Sequence, residues 1–140
     1  MRKLLIPCDG SINALRAVHY ALALAKEIPD VQVELLNIQE PSLVREHAIL
    51  SMQEIERLHT EDANRILQPA KKIFDAEGVS CQAHHRTGSP ASEIAQHVHE
   101  AQCDAIIMGS RGLSQITGLM LGSVTTRVIH LVHVPVTIVK

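Results

Sequence analysis

Short apolar runs alternate with stretches of helical period along the chain, and this alternation predicts its architecture. Residues 3–8 read as a first strand around Leu4, Leu5 and Ile6. Ser11 then caps a helix whose apolar stripe is Leu15, Val18, Leu22 and Ala25, and Pro29-Asp30 ends it. Residues 33–38 form a second strand, followed by Pro41. From about residue 43 to 77 the pattern is mostly helical, with Ile55, Ala63, Ile66, Ala70 and Ile73 recurring at helical spacing. Pro69, which lacks a donor N–H, is expected to kink or split that helix. The part near residues 42–50 is polar and ambiguous. Gly78 suits a helix C-terminus, and residues 79–86 read as a short strand. Ser89 as cap and Pro90 as first helical residue begin a third helix, with Ile94, Val98 and Ala101 on one face. Residues 104–108 are a fourth strand, Val124, Val128 and Leu131 mark a fourth helix, and residues 134–139 form the last strand.

Five strands alternating with four helices imply right-handed crossovers, hence an α/β fold with a doubly wound parallel sheet and helices on both faces. Such sheets bind ligands beyond the carboxyl ends of their strands. Two loops carry ligand-friendly residues: Pro7-Cys8-Asp9-Gly10-Ser11 after strand one, and residues 109–112 after strand four. If both serve one site, strands one and four are neighbours and the order is 3-2-1-4-5. Residues 1–140 read as a single domain without internal repeat or linker.

Composition narrows the function. Tyr20 and Phe74 are the only aromatics, so the core must be built from Ile, Leu, Val and Ala. A formal charge of −2 with no long basic run argues against a nucleic-acid surface, and two aromatics furnish no stacking platform for single strands. No segment approaches the roughly 18 apolar residues that a membrane span requires. Leu4-Leu5-Ile6, interrupted by Pro7, is too short for the core of a signal peptide. Cys8, Cys81 and Cys103 are widely spaced, which predicts free thiols and a cytoplasmic location.

The chemistry concentrates in one stretch. Gly109 and Gly112 follow the apolar run Ala105-Ile106-Ile107-Met108, and after nine intervening residues Gly122 and Ser123 open a helical pattern that ends near Val132. A strand, a glycine-bearing loop and a helix N-terminus together make an anion cradle, since glycine admits close backbone approach and free N–H groups favour phosphate. The same glycines also suit plain turn and packing roles. The loop is no Walker A element, because no lysine follows the glycine, and there is no G-x-G-x-x-G fingerprint. With only Arg111 cationic nearby, phosphate charge would be met mainly by backbone N–H groups, a metal ion and water. Asp9 reads either as an acceptor for ribose hydroxyls or a metal's water shell, or as a helix cap shared with Ser11. Ser123 suits capping, phosphate binding or both. Leu113, Ile116, Leu119, Met120 and Leu121 are expected to pack in a short helical turn. The nine histidines lack metal-ligand spacing: His97 and His99 diverge on a helix, His84 and His85 alternate across a strand, and His130 and His133 lack an acidic or Cys companion. They are expected at the surface or partly buried, with no structural metal site and no catalytic thiol.

These residues together resemble the universal stress protein family over essentially the whole chain. Lys3-Leu4-Leu5-Ile6-Pro7-Cys8-Asp9-Gly10-Ser11 is similar to the family's first strand and turn, Leu35-Leu36-Asn37-Ile38 to the end of its second strand, and Gly88-Ser89-Pro90 to the entry of its third helix. Most specific is Gly109-x2-Gly112-x9-Gly122-Ser123, which resembles the G-x2-G-x9-G-[S/T] motif of the ATP-binding branch. Departures are Cys8, where larger or β-branched residues are common, and Asn37, where His is frequent.

The resemblance implies a cytoplasmic ATP-binding stress-response or regulatory protein. Pro7, Asp9 and the backbone at Ile38 would line the adenosine end, with Met108 near base or sugar. Gly109, Arg111 and Gly112 would pass close to ribose and phosphates, and Gly122, Ser123, Val124 and Thr125 would meet the phosphates. Mg2+ or Mn2+ would be held through the phosphates, and two copies would pair antiparallel through the last strand, Val134 to Val139. No positioned general base is visible, so the protein is not expected to be an efficient enzyme. A slow ATPase on the same site and a nucleotide-free dimeric scaffold stand as alternatives.

Overall fold

The computed structural model describes residues 2–41, 50–112 and 120–140. Five strands, β1 (Lys3–Pro7), β2 (Gln32–Gln39), β3 (Gln82–Thr87), β4 (Ala105–Gly109) and β5 (Val136–Val139), alternate with four helices in the described residues. These are α1 (Ile12–Glu27), α2 (Met52–Ala76), α3 (Pro90–Ala101) and α4 (Ser123–Leu131). All strand pairs are parallel and the order is β3-β2-β1-β4-β5, as the loop chemistry predicts.

Alternation along each strand sends side chains to two separate cores. Leu4, Ile6, Leu35 and Ile107 meet Val18 and Ala21 of α1 and Leu67, Ala70 and Phe74 of α2. On the other face Leu5, Leu36, Ile106 and Met108 meet Ile94 and Val98 of α3 and Val128 of α4. β1 and β4 are covered on both faces, which is why they read as continuous apolar runs.

Ser11 caps α1 as expected, its Oγ accepting from the Ala14 N–H at 3.1 Å, and Ser51 caps α2 in the same way through Glu54 N–H. Several expectations need correction. Pro69 does not split α2, which runs through it as one helix; Pro69 is exposed, so the Arg65 carbonyl it leaves unbonded faces water. The helical pattern expected from about residue 43 begins within 42–49, which lie outside the described residues; the described helix starts at Met52. β3 begins at Gln82 because the Val79 N–H is still engaged with Phe74 O in the exit from α2. β5 begins at Val136, since Pro135 has no N–H to donate and contributes only its carbonyl, to Ile106. The buried stripe of α1 is also rotated, centred on Ala14, Ala17, Val18, Ala21 and Leu22, with Leu15 and Ala25 half-buried. Leu131, expected in the buried stripe of α4, is 47% exposed.

Candidate functional site

The loops after β1 and β4 converge as the strand order requires, and with the end of β2 they enclose a cavity of about 430 Å3. Pro7, Asp9, Ile38, Met108, Gly109, Arg111, Gly112, Ser123, Val124 and Thr125 all line it. Gly122 does not line it; it shapes the wall behind. The cavity also takes Asn37, Glu40 and Ile66, which sequence reasoning missed. Ile66 comes from α2 and sits on an apolar helical repeat, so nothing in the sequence separates it from a core residue.

The β1–α1 turn shows how Asp9 is held. Gly10 adopts φ +87°, a left-handed conformation that turns the chain sharply, and Asp9 Oδ1 accepts from the Ser11 N–H at 2.9 Å. Asp9 thus stabilises the turn while Ser11 supplies the cap, and its second oxygen lies toward the β4 loop. A Cβ on Gly112 would stand 2.5 Å from Asp9 Oδ2. A Cβ on Gly109 would lie 2.8 Å from the backbone of Asn13, so Gly109 is required for close packing of β4 against α1. The packing role and the cradle role therefore coexist in this loop.

Gly122 is the N-cap of α4, with extended backbone (φ −65°, ψ 160°) and an N–H that donates to Ser110 O at 2.8 Å. Ser123 is consequently the first helical residue and not the cap, which removes one of its two readings. The first intrahelical bond runs from Thr126 N–H to Gly122 O, leaving the N–H groups of Ser123, Val124 and Thr125 without an intrahelical carbonyl at the cavity wall. The Thr125 hydroxyl donates to Gly109 O at 3.0 Å and pins α4 to the end of β4, so its proton is committed to the scaffold. Met120 is 71% exposed and Leu121 is also exposed, so neither packs as expected; residues 113–119 of that apolar loop lie outside the described residues.

Both departures from the family pattern have structural work. Buried Asn37 donates from Nδ2 to Cys8 O at 2.8 Å and accepts from Gln39 Nε2 at 2.7 Å, tying the exits of β1 and β2 together. Burial, with the nearby Asp9 and Cys81 charges, pushes the Cys8 thiol up to about 12, so it is fully protonated at neutral pH and a poor nucleophile.

The histidine expectation fails at two positions, because His59 and His97 are buried. His97 Nε2 lies 2.8 Å from Glu34 Oε2. Burial tends to raise the Glu34 carboxyl, but the His97 hydrogen bond and the charges of Lys3, His97 and His84 outweigh it and hold the group below the usual carboxylate range. Residues from β2 and α3 meet here across the layers, a contact that no local spacing announces.

The model of the universal stress protein family matches residues 1–140. Universal stress protein MJ0531 of Methanocaldococcus jannaschii is 34% identical over 140 residues, covering 99% of this chain and 82% of that protein. The solved structure of MJ0577 from the same organism superposes with a TM-score of 0.86 at 29% identity, covering 99% of this chain and 95% of the other. The universal stress protein of Archaeoglobus fulgidus, solved in complex with dAMP, shares the fold at 23% identity, with a TM-score of 0.70 and coverage of 100% and 98%. The sheet order and these matches agree: the chain belongs to the universal stress protein family.

Proposed function

We propose that this cavity binds an adenine nucleotide, ATP in the first instance, and that the protein acts as a cytoplasmic nucleotide-dependent regulator in the stress response. The observation that carries this reading is the opening of the α4 N-terminus onto the cavity beside Gly112, where N–H groups and the helix dipole favour phosphate. Ile38, Ile66 and Met108 offer apolar lining for the base, and Asp9, which lines the same cavity, would accept from ribose hydroxyls. The Archaeoglobus protein solved with dAMP shows that the fold accommodates an adenine nucleotide.

The carboxylates lining the cavity in the described residues are Asp9 and Glu40. They are too few for a protein-only cage, so Mg2+ or Mn2+ would be held mainly through the phosphates, with Asp9 able to accept from the ion's water shell. When bound, such an ion would neutralise phosphate charge. Asp9 is already engaged with the Ser11 N–H, and Cys8 is protonated, so neither of these two cavity side chains is poised as a strong base. No described helix is long and apolar enough to cross a membrane.

Calorimetry on nucleotide-free protein should show ATP binding with Mg2+ present, while phosphate release stays well below ~1 s⁻¹, the low end of ordinary turnover. Failure to bind ATP, ADP or AMP would leave the dimeric scaffold as the reading, and steady turnover at ordinary rates would make the protein an ATPase.

The proposed assembly is a homodimer through β5. This strand is at the sheet edge, with Val136 and Ile138 only half-buried, and an unpaired apolar edge favours strand addition from a second copy. Sedimentation should give a dimer at ~10 µM, a concentration at which a stable interface of micromolar or tighter affinity is occupied; a monomer there would refute it.

A further inference from the structure

Strand alternation places Glu34 on the same face of β2 as Leu36, inside the core under α3 and α4. A carboxylate there is costly unless its charge is met. His97 of α3 turns onto it, and Cys103, in the turn before β4, sets its Sγ 3.9 Å from the same oxygen, Oε2. All three residues are buried, and their ligand atoms lie within 4.8 Å of one another. His84, on the neighbouring strand β3, brings Nε2 to 3.8 Å from Glu34 Oε1; that nitrogen is buried and has no hydrogen-bond partner among the described residues. The two imidazole rings stand 5.4 Å apart.

We propose that Glu34, His97 and Cys103, completed by His84 or a water, form a site for one Zn2+ ion, separate from the nucleotide cavity. Zinc takes four ligands from sulfur, imidazole nitrogen and carboxylate oxygen, at about 2.3 Å to sulfur and about 2.0–2.2 Å to nitrogen or oxygen. Tetrahedral angles at those lengths separate the ligand atoms by roughly 3.3–3.7 Å. The two separations from the carboxylate oxygen, 2.8 and 3.9 Å, fall on either side of that range and roughly half an ångström or less outside it. All three ligand atoms lie within 4.8 Å of one another, so the side chains would draw in around an ion. The thiol disfavours Mg2+ and Ca2+, which prefer oxygen, and suits a softer ion.

Charge and access also fit. The carboxylate and a thiolate together balance a divalent ion. Lys3, whose Nζ donates to Ala101 O at 2.9 Å and sits 3.5 Å from Glu34 Oε1, balances the carboxylate when no ion is present. Burial, then the Glu34 charge, pushes the Cys103 thiol up to about 11, so an arriving ion displaces its proton to solvent. Cys103 and Lys3 border an open depression of about 560 Å3, which provides the route in. That depression also takes Arg2, Gln32 and Asp104, at the strands' amino ends, whereas the nucleotide cavity is at their carboxyl ends.

The test is metal titration of chelator-treated protein. Zn2+ competed against a chromophoric chelator should bind at one equivalent per chain, and Co2+ in its place should give a thiolate-to-metal charge-transfer band. Cys103→Ser should abolish the band and weaken Zn2+ by more than about tenfold, the lower bound even for outer-shell substitutions. His97→Gln should weaken Zn2+ comparably, and Cys81→Ser should change neither readout. Circular dichroism checks each fold. If a hydroxyl beside Glu34 unfolds the serine variant, Cys103→Ala and His97→Gln carry the test. Absence of stoichiometric uptake by the parent protein overturns the proposal. So does a cobalt band that survives loss of Cys103, or Zn2+ affinity indifferent to both Cys103 and His97, which would place the ion on surface histidines.

Discussion

Replacing Gly122 with valine should abolish tight ATP binding while leaving the fold intact. The Gly122 backbone is extended, a conformation that β-branched residues readily adopt, so the substitution brings no backbone strain. Crowding is the problem. An added Cβ would lie 3.2 Å from Arg111 Cα and 3.5 Å from Gly112 N, and valine adds two methyl groups beyond it. The Arg111–Gly112 segment must move, and with it the backbone that flanks the phosphate end of the cavity. Each hydrogen bond lost to a charged phosphate should cost about 1.5–3 kcal/mol. That is roughly a ten- to hundredfold loss of affinity per bond, readable by calorimetry. Replacing exposed His130, in the last turn of α4, and His133, just beyond it, with Gln should leave affinity unchanged. If folded Gly122→Val protein binds ATP like its parent while the histidine variant does not, the phosphates are not held at α4.

Phe74→Ala should be the costliest single truncation in the core. Phe74 is the chain's only phenylalanine and is fully buried, packed with Leu67 and Ala70 of α2 against the face formed by Leu4, Ile6 and Leu35. Its neighbours are aliphatic side chains on rigid strands, which close poorly around a ring-sized void, so the loss should be about 3–5 kcal/mol. In urea at fixed protein concentration the midpoint should fall with little change of slope, since the area exposed on unfolding barely alters. Phe74→Leu should restore most of the loss. A cost near ~1 kcal/mol, typical of point substitutions generally, would mean that α2 settles into the void.

The elements readable in advance were those whose local pattern and tertiary surroundings agree. β1 and β4 are apolar throughout because both faces are covered, and Ser11 caps α1 because its side chain bonds three residues ahead. Misreadings arose where a local rule was overridden. A proline breaks a helix when the carbonyl four residues earlier, left unpaired, is buried; here α2 turns Pro69 and Arg65 outward. Val79 looks like a strand residue, yet its N–H closes the helix exit through Phe74 O.

By itself the sequence determined the alternation of strands and helices, the strand order and the ends of the sheet where the glycine loop and the Asp9 turn would meet. The alternation follows from periodicity, which operates over neighbouring residues, and the strand order from requiring the two ligand-friendly loops to meet at one site of a parallel sheet. Only the tertiary structure decided that Gly109 serves packing against Asn13, that the Thr125 hydroxyl is committed to Gly109 O, and that Ile66 reaches the cavity. It alone also brings together Glu34, His97 and Cys103, which lie 63 and 69 residues apart from the glutamate along the chain. Contacts of this kind depend on how a helix is rotated and seated on the sheet. That seating is set by the summed packing of many side chains and leaves no periodic trace at the residues that finally touch.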